Sequence, residues 1–301
     1  MSDTDTTTCA QAPSSESPAT QAGDLPELTP DLACKYDLLL AYLRELGSAV
    51  VAFSAGVDST LLLKAAVEAL GDKALAVTAR SSTYPDREMA EAKAFCSSLG
   101  VEHLIVDAHE FDSEGFAENH PDRCYWCKHA LLGTLANIAK ERGLACVVEG
   151  SNLDDEGDYR PGLNAVAESV QTKSPLREAG LTKADIRAIS RHLGLPTWNK
   201  PSCACLASRI PYGERITPEK LARVDAAEEI LKKLGFDQVR VRSHGSLARI
   251  EVPKDRLTEL LDACVKHDVA RQLRERGFAY VTMDLEGYQV GSLNREIGKA
   301  E

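Results

Sequence analysis

The chain of 301 residues has a formal net charge of -11 and an apolar fraction of 44%. A chain of this length buries one large core or two ordinary ones, and its apolar fraction is typical of globular proteins. The acidic balance provides no overall basic field for a nucleic-acid backbone, and no apolar run is long enough to span a membrane. Residues 1–5 lack the features of a secretory signal, so we expect a cytoplasmic protein without nucleic-acid or membrane partners.

The chain contains nine cysteines, which is an odd number. In a cytoplasmic protein this usage argues against a disulfide scaffold and for thiol or metal chemistry at some positions. Cys9 lies in residues 1–28, which are rich in Ser, Thr, Pro and acidic residues and have no aromatic residue. Such a segment buries too little apolar surface to order itself, so we predict a disordered tail.

The first structured part is predicted at residues 29–200, where strand-like apolar runs alternate with amphipathic helical stretches. After a helix at 32–46 and a strand that starts at Val50, the pattern continues at residues 74–79 (strand), 85–99 (helix), 103–107 (strand), 131–142 (helix), 145–150 (strand) and 182–193 (helix). This alternation predicts an α/β fold with an open, mostly parallel sheet and helices on both faces. Cys96 and Cys146 fall within these elements as predicted core residues.

A second part follows a connecting loop at residues 201–216. Its predicted elements are residues 218–234 (helix), 238–242 and 248–252 (strands), 255–265 and 268–276 (helices) and 279–284 (strand). This order predicts a small C-terminal α+β domain at residues 217–301.

The apolar run at Val50 leads into a turn containing Ser54 and Gly56, and then into a helix that starts near Asp58 and Ser59. Backbone N–H groups at a helix N-terminus point at a bound anion, and glycine with small neighbours lets a phosphate approach. The pattern lacks the lysine of the Walker loop and the spacing of G-x-G-x-x-G. It predicts a phosphate site of another kind; the alternative is an ordinary Gly/Ser turn.

The stretch E-G-S-N-L-D-D closes the fourth predicted strand. Gly150 and its neighbour allow close approach of a ligand near Asn152, and paired carboxylates such as Asp154 and Asp155 suit a hydrated magnesium ion. Because the carboxyl ends of parallel strands meet at one edge of a sheet, we expect Gly150 to lie near Ser54. The alternative is an acidic Asx-turn loop on the surface.

Cys124 and Cys127 form a C-x-x-C pair ahead of a predicted helix. Two thiols at this spacing can chelate one metal ion or cluster. Their position near a helix N-terminus, beside Arg123 and Lys128, is expected to lower the thiol pKa. The alternatives are two unremarkable cysteines and, for Trp126, either a core position or contact with a flat substrate ring.

The connecting loop contains Cys203, Cys205 and Arg209. An arginine here can grip a phosphate or carboxylate through paired hydrogen bonds, and the alternative is a linker that happens to contain two thiols. Farther along, Arg240 and Arg242 alternate with valines and share one face of a predicted strand. This face suits phosphate capture, and the alternative is a solvated strand face.

Together these stretches resemble the LarE-type ATP-dependent sacrificial sulfur transferases of the PP-loop ATP pyrophosphatase superfamily. The family usually has glycine at the position of Ala55. The resemblance extends from about residue 36 to 294, and its specific parts are residues 54–59, 123–128, 150–162, 201–213, 239–245, 248–251 and 287–294. It implies a PP-loop domain, similar to adenine nucleotide alpha hydrolases, at 29–200 and a substrate or oligomerisation domain at 217–301.

The resemblance also implies a mechanism. ATP with Mg²⁺ adenylates a carboxylate of a pyridinium mononucleotide and releases pyrophosphate, and sulfur then replaces oxygen to make the nickel-pincer nucleotide cofactor of lactate racemase. By position, the resemblance assigns pyrophosphate binding to Ser54, Gly56, Asp58 and Ser59, and magnesium binding to Asp58. It assigns the substrate phosphate to Ser208, Arg240 and Arg242, with Arg209 as a further candidate. Sulfur delivery is assigned to Cys205. Substrate or nucleotide is expected near Trp126, Gly150, Asn152 and Asp154.

Members of this family deliver sulfur in two ways. In single-cysteine members the cysteine side chain attacks the acyl-adenylate and loses its sulfur, which leaves dehydroalanine. Other members have three cysteines that resemble Cys124, Cys127 and Cys205, and these are thought to hold a four-iron four-sulfur cluster that carries a transferable sulfide. The three-cysteine pattern leads us to expect the cluster, with Cys203 as an extra thiol of open role.

Three other functions share part of this pattern. A tRNA thiolation enzyme also combines a PP-loop with cysteines, but tRNA binding needs a basic surface. An amidating enzyme shares the PP-loop and does not need the cysteines, and a non-catalytic nucleotide-binding module leaves them unexplained. The resemblance further implies a homo-oligomer and partner enzymes of the nickel-pincer nucleotide pathway.

Overall fold

The computed structural model describes residues 26–112, 115–157, 161–169, 171–201, 204–289 and 291–296. Apart from residues 26–28, the predicted tail with Cys9 lies outside the described residues, as do Cys203 and residues 158–160. Within the described ranges, no helix is both long enough and apolar enough to cross a membrane.

The larger sheet in the described part of the chain has five parallel strands. They are β1 (Ala49–Ala52), β2 (Ala74–Arg80), β3 (Glu102–Asp107), β4 (Cys146–Val148) and β5 (Thr172–Lys173), in the spatial order β3-β2-β1-β4-β5. The strand order reverses between β1 and β4, where Val50 lies between Leu75 and Val147. Ligands of open α/β sheets bind beyond the strand ends at this point.

Helices cover both faces of this sheet, as the alternation of elements predicts. They are α1 (Pro30–Leu46), α2 (Val57–Leu70), α3 (Asp86–Leu99), α4 (Arg123–Glu141), α5 (Pro161–Glu168), α6 (Pro175–Glu178) and α7 (Lys183–His192). Val51 packs on one face in a core with Leu43 and Leu62, and Val50 packs on the other with Leu132. A strand buried on both faces explains why β1 is a continuous apolar run.

The C-terminal part is the predicted α+β unit. Its elements are α8 (Pro218–Lys233), β6 (Arg240–His244), β7 (Leu247–Glu251), α9 (Leu257–Lys266), α10 (Val269–Glu275) and β8 (Tyr280–Met283). β7 pairs antiparallel with β6 and parallel with β8. Its core also contains Phe116, Leu206 and Ile216, so part of the predicted connecting loop packs into this unit, and the domain boundaries stay a prediction.

Local sequence signals predicted helix starts and core residues correctly where a helix cap or a buried face determines them, and failed elsewhere. Asp185 N–H donates to the Thr182 hydroxyl at 3.2 Å, so the predicted helix start at Thr182 is confirmed. Cys96 and Cys146 are buried, as predicted. α4 begins at Arg123, so the C-x-x-C pair lies within its first five residues and not ahead of it. The short β5, α5 and α6 were missed because they are too short for a periodic pattern.

The fully buried Leu62 tests the core on the α1–α2 face. Leu62→Ala should lower the free energy of unfolding by about 2–5 kcal/mol, because it removes transfer free energy and leaves a cavity. Leu38→Ala is the matched control, since Leu38 is 54% exposed, and should change it by no more than about 0.5 kcal/mol. Urea unfolding measures both, and equal effects would contradict this assignment of the core.

Candidate active site

The turn between β1 and α2 is folded around the hydroxyl of Ser59. Ser59 Oγ accepts hydrogen bonds from the backbone N–H groups of Ser54 and Gly56, each at 3.2 Å, and lies 3.1 Å from Ser54 Oγ. Asp58 follows in the first turn of α2. The fold therefore brings these four residues together at a helix N-terminus, where the helix dipole and N–H groups favour an anion.

Ala55 takes a left-handed backbone conformation in this turn, with φ of 50°. This region costs a residue with a Cβ about 1–2 kcal/mol, which explains why the family usually has glycine here. Two side chains hold the turn from outside: the Tyr84 hydroxyl donates to Ser54 O at 2.7 Å, and Lys200 Nζ donates to Ala55 O at 3.0 Å. The alanine is therefore accommodated by contacts to the carbonyl groups of the turn.

Gly150, just beyond β4, approaches the start of α2 closely, as predicted from the sheet edge. A Cβ at this position would lie 3.3 Å from both Ser59 N and Asp58 Cβ. Contacts this short require the neighbouring backbone to move. Gly150 is therefore needed for its size, and it brings the loop after β4 against the phosphate-binding turn.

Asp58 forms an ion pair with Lys183, the first residue of α7. Its Oδ1 also accepts a hydrogen bond from Asn152 Nδ2 at 3.3 Å. Sequence reasoning missed Lys183, because Thr182 and its neighbours were interpreted only as a helix start. One signal was present: a cation in the first turn of a helix opposes the helix dipole, so its charge needs a partner elsewhere.

The predicted carboxylate pair after β4 is engaged with backbone N–H groups. Asp155 Oδ2 accepts the Asn152 N–H at 3.0 Å within the loop, and Asp154 Oδ2 accepts the Lys183 N–H at the start of α7 at 2.8 Å. The Asx turn of the alternative is formed by Asn152, whose Oδ1 accepts the Asp154 N–H at 3.0 Å. Asp58 is thus the better candidate for magnesium, since this ion needs only one or two carboxylates besides phosphate oxygens.

Glu149 is a buried carboxylate at the end of β4 that sequence reasoning also missed. It accepts hydrogen bonds from Lys128 Nζ at 2.9 Å, Ser151 Oγ at 2.8 Å and Ser174 Oγ at 2.6 Å. Burial raises the pKa of Glu149, but the Lys128 ammonium and the two hydroxyls outweigh it and hold the pKa below its usual range. Glu149 therefore anchors Lys128 at the edge of the phosphate-binding turn.

Two neighbouring cavities lie at this edge of the sheet. The polar one, of about 300 Å³, is lined by residues that include Ser54, Gly56, Asp58, Ser59, Lys128, Glu149 and Gly150. The apolar one, of about 210 Å³, extends along the ends of β1 and β2 and is lined by residues that include Val77, Ala79, Tyr84, Cys127 and Leu135. A phosphate-binding cavity beside an apolar one suits the two ends of a nucleotide.

Three of the residues predicted near the substrate or nucleotide lie outside the linings of these two cavities: Trp126, Asn152 and Asp154. Trp126 is 44% exposed, so the core alternative is wrong, and its Nε1 donates to Asp122 Oδ2 at 3.0 Å. Asn152 contacts the site indirectly, through its hydrogen bond to Asp58. The roles of all three toward a ligand stay predictions.

Cys124, Cys127 and Cys205 lie close enough for their charges to interact. Desolvation raises the pKa of Cys127 to about 12, and the Cys205 and Cys124 thiols add to this shift. Desolvation and the Cys205 thiol also raise the pKa of Cys124, and Arg123 only partly opposes them. In the described part of the chain, no group of three or more His, Cys, Asp or Glu side chains is arranged to hold a metal ion.

The expected lowering of the thiol pKa in the C-x-x-C pair is therefore wrong. The two cations that were expected to cause it have other partners. Lys128 pairs with Glu149, and Arg123 Nη1 donates to Asn119 Oδ1 at 2.6 Å while its guanidinium stacks on Tyr212 at 4.6 Å. The helix N-terminus alone does not lower the pKa of the two thiols enough to outweigh desolvation, which raises it.

The arginines predicted to bind phosphate are buried, so the alternative of a solvated strand face is wrong. Arg242 donates to Glu251 Oε2 at 2.9 Å and to Ser208 O at 2.8 Å, and Arg240 stacks over Tyr288 at 5.3 Å. Arg209 and Arg242 border a cavity of about 180 Å³ in the C-terminal unit, but Ser208 and Arg240 do not line it. Phosphate binding by these residues stays a prediction.

Known proteins resemble this chain over nearly its whole length. An uncharacterized protein of Synechocystis sp. is 43% identical over 89% of this chain and 100% of its own. The pyridinium-3,5-bisthiocarboxylic acid mononucleotide synthase of Lactiplantibacillus plantarum is 41% identical over 90% of this chain and 97% of its own. The chain belongs to the LarE family. A family model described as NAD synthase also matches residues 34–124, which contain the phosphate-binding turn.

Membership in the LarE family makes this chain an ATP-dependent enzyme with a PP-loop, and PP-loop enzymes use ATP with Mg²⁺. The turn from Ser54 to Ser59 is the PP-loop. Asp58 fits the metal, because its carboxylate borders the polar cavity and is held there by a cation and an amide.

Gly150→Ala should lower kcat/KM for ATP by about tenfold or more, because the new Cβ displaces the PP-loop and misplaces its phosphate-binding groups. ATP-dependent pyrophosphate release measures the effect. Gly133→Ala is the matched control, because Gly133 lies in α4 with open space around it; this change should leave kcat/KM unchanged and stabilise the chain by about 0.5–1 kcal/mol. Equal kcat/KM for both variants would refute the close-packing argument.

The low pKa of Glu149 predicts a pH-dependent contribution to stability. A depressed carboxyl pKa stabilises the folded state above the unfolded value of about 4.3, and this contribution is lost as the pH falls through the folded value. Glu149→Gln should therefore lower the free energy of unfolding more at about pH 7 than at about pH 3. Urea unfolding at both pH values decides the matter, and a pH-independent difference would count against the ion pair.

Proposed function

We propose that this LarE-family enzyme uses ATP to adenylate a carboxylate of a pyridinium mononucleotide and then converts it to a thiocarboxylate in nickel-pincer nucleotide biosynthesis. The name of the L. plantarum relative states that its product is a pyridinium mononucleotide with two thiocarboxylic acid groups. The two sequences are 41% identical, and the match extends over 97% of that relative's length, which supports assigning its substrate class to this chain. A homo-oligomer, a cytoplasmic location and partner enzymes of the pathway stay predictions.

The observation that carries this proposal is a direct link between the PP-loop and residues 204–208, which we call the Cys205 segment. Tyr84 donates to Ser54 O at 2.7 Å, and the adjacent Thr83 O accepts the Leu206 N–H at 3.0 Å. One short segment therefore contacts both the ATP-binding turn and the residue that follows the candidate sulfur donor. A simple amidating enzyme has no need for a cysteine at this place.

The first half-reaction uses the two cavities after β1, β2 and β4. The apolar cavity suits the adenine ring, and the polar cavity suits the phosphates, beside the N-terminus of α2 and Lys128. Mg²⁺, when bound with ATP, neutralises phosphate charge, and Asp58 is the residue placed to hold it. A substrate carboxylate oxygen attacks the α-phosphorus, the bond to the β-phosphate oxygen breaks, and pyrophosphate remains in the PP-loop.

The second half-reaction uses Cys205. Its thiol loses the proton to water, the sulfur attacks the acyl carbon, AMP leaves and a thioester forms between enzyme and substrate. A base then removes the Cα proton of Cys205, and the electron pair expels the sulfur with the acyl group. The products are a thiocarboxylate and a dehydroalanine at position 205, so atoms and charge balance without an external sulfur donor.

The alternative sulfur source is the expected four-iron four-sulfur cluster on Cys124, Cys127 and Cys205. Burial raises the pKa values of Cys124 and Cys127 in the metal-free chain, so a cluster would have to displace their protons on binding. The described residues also contain no group arranged to hold a metal ion. The expectation of a cluster thus has no support here, and we base the proposed reaction on the Cys205 side chain.

Cys205→Ser should retain ATP- and substrate-dependent pyrophosphate release but form no thiocarboxylate, because a hydroxyl group has no sulfur to transfer. Mass spectrometry of the wild-type chain after turnover should show the loss of one H₂S equivalent at Cys205. Cys34→Ser is the matched control, since Cys34 is also exposed but lies in α1, and it should behave as wild type.

Two results would contradict this proposal. Thiocarboxylate formed by Cys205→Ser would exclude Cys205 as the donor. An intact Cys205 after many turnovers, together with iron and sulfide bound after anaerobic reconstitution and lost in Cys124→Ala and Cys127→Ala, would favour the cluster instead.

A further inference from the structure

The side chain of Arg209 is buried in the C-terminal unit, directly beneath the Cys205 segment. It is 1% exposed, and its partner Glu228 on α8 is fully buried. Arg209 Nε donates to Glu228 Oε1 at 2.7 Å, and Nη2 donates to Oε2 at 3.1 Å. This paired geometry uses one edge of the guanidinium group and leaves Nη1 for other contacts.

Arg209 Nη1 makes its contacts with the Cys205 segment. It donates to Ala204 O at 2.8 Å, to Cys205 O at 3.3 Å and to Ser208 Oγ at 2.9 Å. These acceptors include the carbonyl groups of the two peptide units that flank the Cα of Cys205 on its N-terminal and C-terminal sides. The Cys205 side chain itself is exposed. Arg209 therefore constrains the backbone of this residue and leaves its thiol accessible.

Glu228 connects this arrangement to the smaller sheet. Its Oε1 also accepts the Val241 N–H of β6 at 3.1 Å. Burial raises the pKa of Glu228, but the Arg209 guanidinium, with help from Arg240, outweighs it and holds the pKa below its usual range. The carboxylate therefore stays charged, and it holds Arg209 between α8, β6 and the Cys205 segment.

A buried ion pair is weak evidence for stability, because desolvation of both charges offsets their attraction. Hydrophobic residues of similar volume fill such a place at least as well. Hydrophobic side chains cannot, however, donate hydrogen bonds to the two backbone carbonyl groups that Arg209 Nη1 contacts. The part of this arrangement that only Arg209 provides is the fixed conformation of the Cys205 backbone.

We propose that Arg209, held in place by Glu228, is a positioning residue that fixes the Cys205 backbone for sulfur transfer and does not bind the substrate phosphate. This inference rests on the proposed function, since it assigns Arg209 to the second half-reaction. Adenylation does not use Cys205, so the two half-reactions separate the roles. A phosphate ligand acts on substrate binding in both, whereas a positioning residue acts on sulfur transfer alone.

The test uses the full chain with two variants. Arg209→Lys keeps a cation beside Glu228 but cannot contact both the carboxylate and the carbonyl groups. Arg209→Met combined with Glu228→Gln removes both charges together and keeps an oxygen acceptor for the Val241 N–H, which guards against an unpaired buried charge. Arg223→Lys is the control, because Arg223 of α8 also caps backbone carbonyls, at Gly277 and Gly245, away from Cys205.

Both Arg209 variants should release pyrophosphate with an unchanged KM for the mononucleotide, and single-turnover thiocarboxylate formation should fall about 100-fold. Arg223→Lys should leave both rates unchanged. A raised KM in the Arg209 variants would make Arg209 a phosphate ligand and overturn the proposal. An equal fall in both half-reactions, or unchanged sulfur transfer, would also overturn it.

Amide hydrogen exchange gives a readout that does not depend on the reaction. The Leu206 and Ser208 N–H groups donate to Thr83 O and Cys205 O, each at 3.0 Å, and should exchange about tenfold faster in the double variant. Unchanged exchange would overturn the positioning role even if wild type released no pyrophosphate. Absence of pyrophosphate release by the wild-type chain would instead refute the proposed function, so the failure of each proposal can be recognised separately.

Discussion

The contact between Gly150 and the first turn of α2 determines the geometry of the nucleotide site. It joins the end of β4 to the PP-loop at the place where the strand order reverses, and a Cβ at this position would have to push the start of α2 away by a few tenths of an ångström. Asp58 and Ser59 on one side, and the loop after Gly150 on the other, face each other because of this approach. The buried parallel strands behind them make the spacing rigid.

Charged groups in the site are paired with one another within the chain. Lys183 pairs with Asp58, and Lys128 pairs with Glu149. The first pair joins α7 to α2, the second joins α4 to the end of β4, and each places a cation near a cavity that suits phosphates. A bound nucleotide therefore enters a site whose cations are already held by carboxylates, which limits the reorganisation that binding requires.

The Cys205 segment connects the two units of the chain by contacts on both sides. Thr83 holds it from the larger sheet, and Arg209 with Glu228 holds it from the smaller one. Sequence reasoning interpreted Arg209 as a ligand because an arginine in the connecting loop can grip a phosphate or carboxylate through paired hydrogen bonds. In the fold its guanidinium lies among the carbonyl groups of residues 204 and 205 and the Glu228 carboxylate on α8, and the sequence pattern did not indicate that these groups would meet.

The sequence by itself determined the order of the longer strands and helices, the PP-loop and the family, because periodicity, small residues and motif spacing are local properties. It also predicted that Gly150 lies at the same sheet edge as Ser54, since parallel strands present their carboxyl ends together. Only the tertiary structure decided which charges meet. Lys128 and Arg123 were expected to activate the C-x-x-C thiols, yet Glu149 and Asn119 bind them. Ion pairing and desolvation depend on how the folded chain arranges its side chains, whether the partner is four residues away, as Asn119 is from Arg123, or farther along the chain. These two effects set the pKa values and side-chain partners that the motifs leave open.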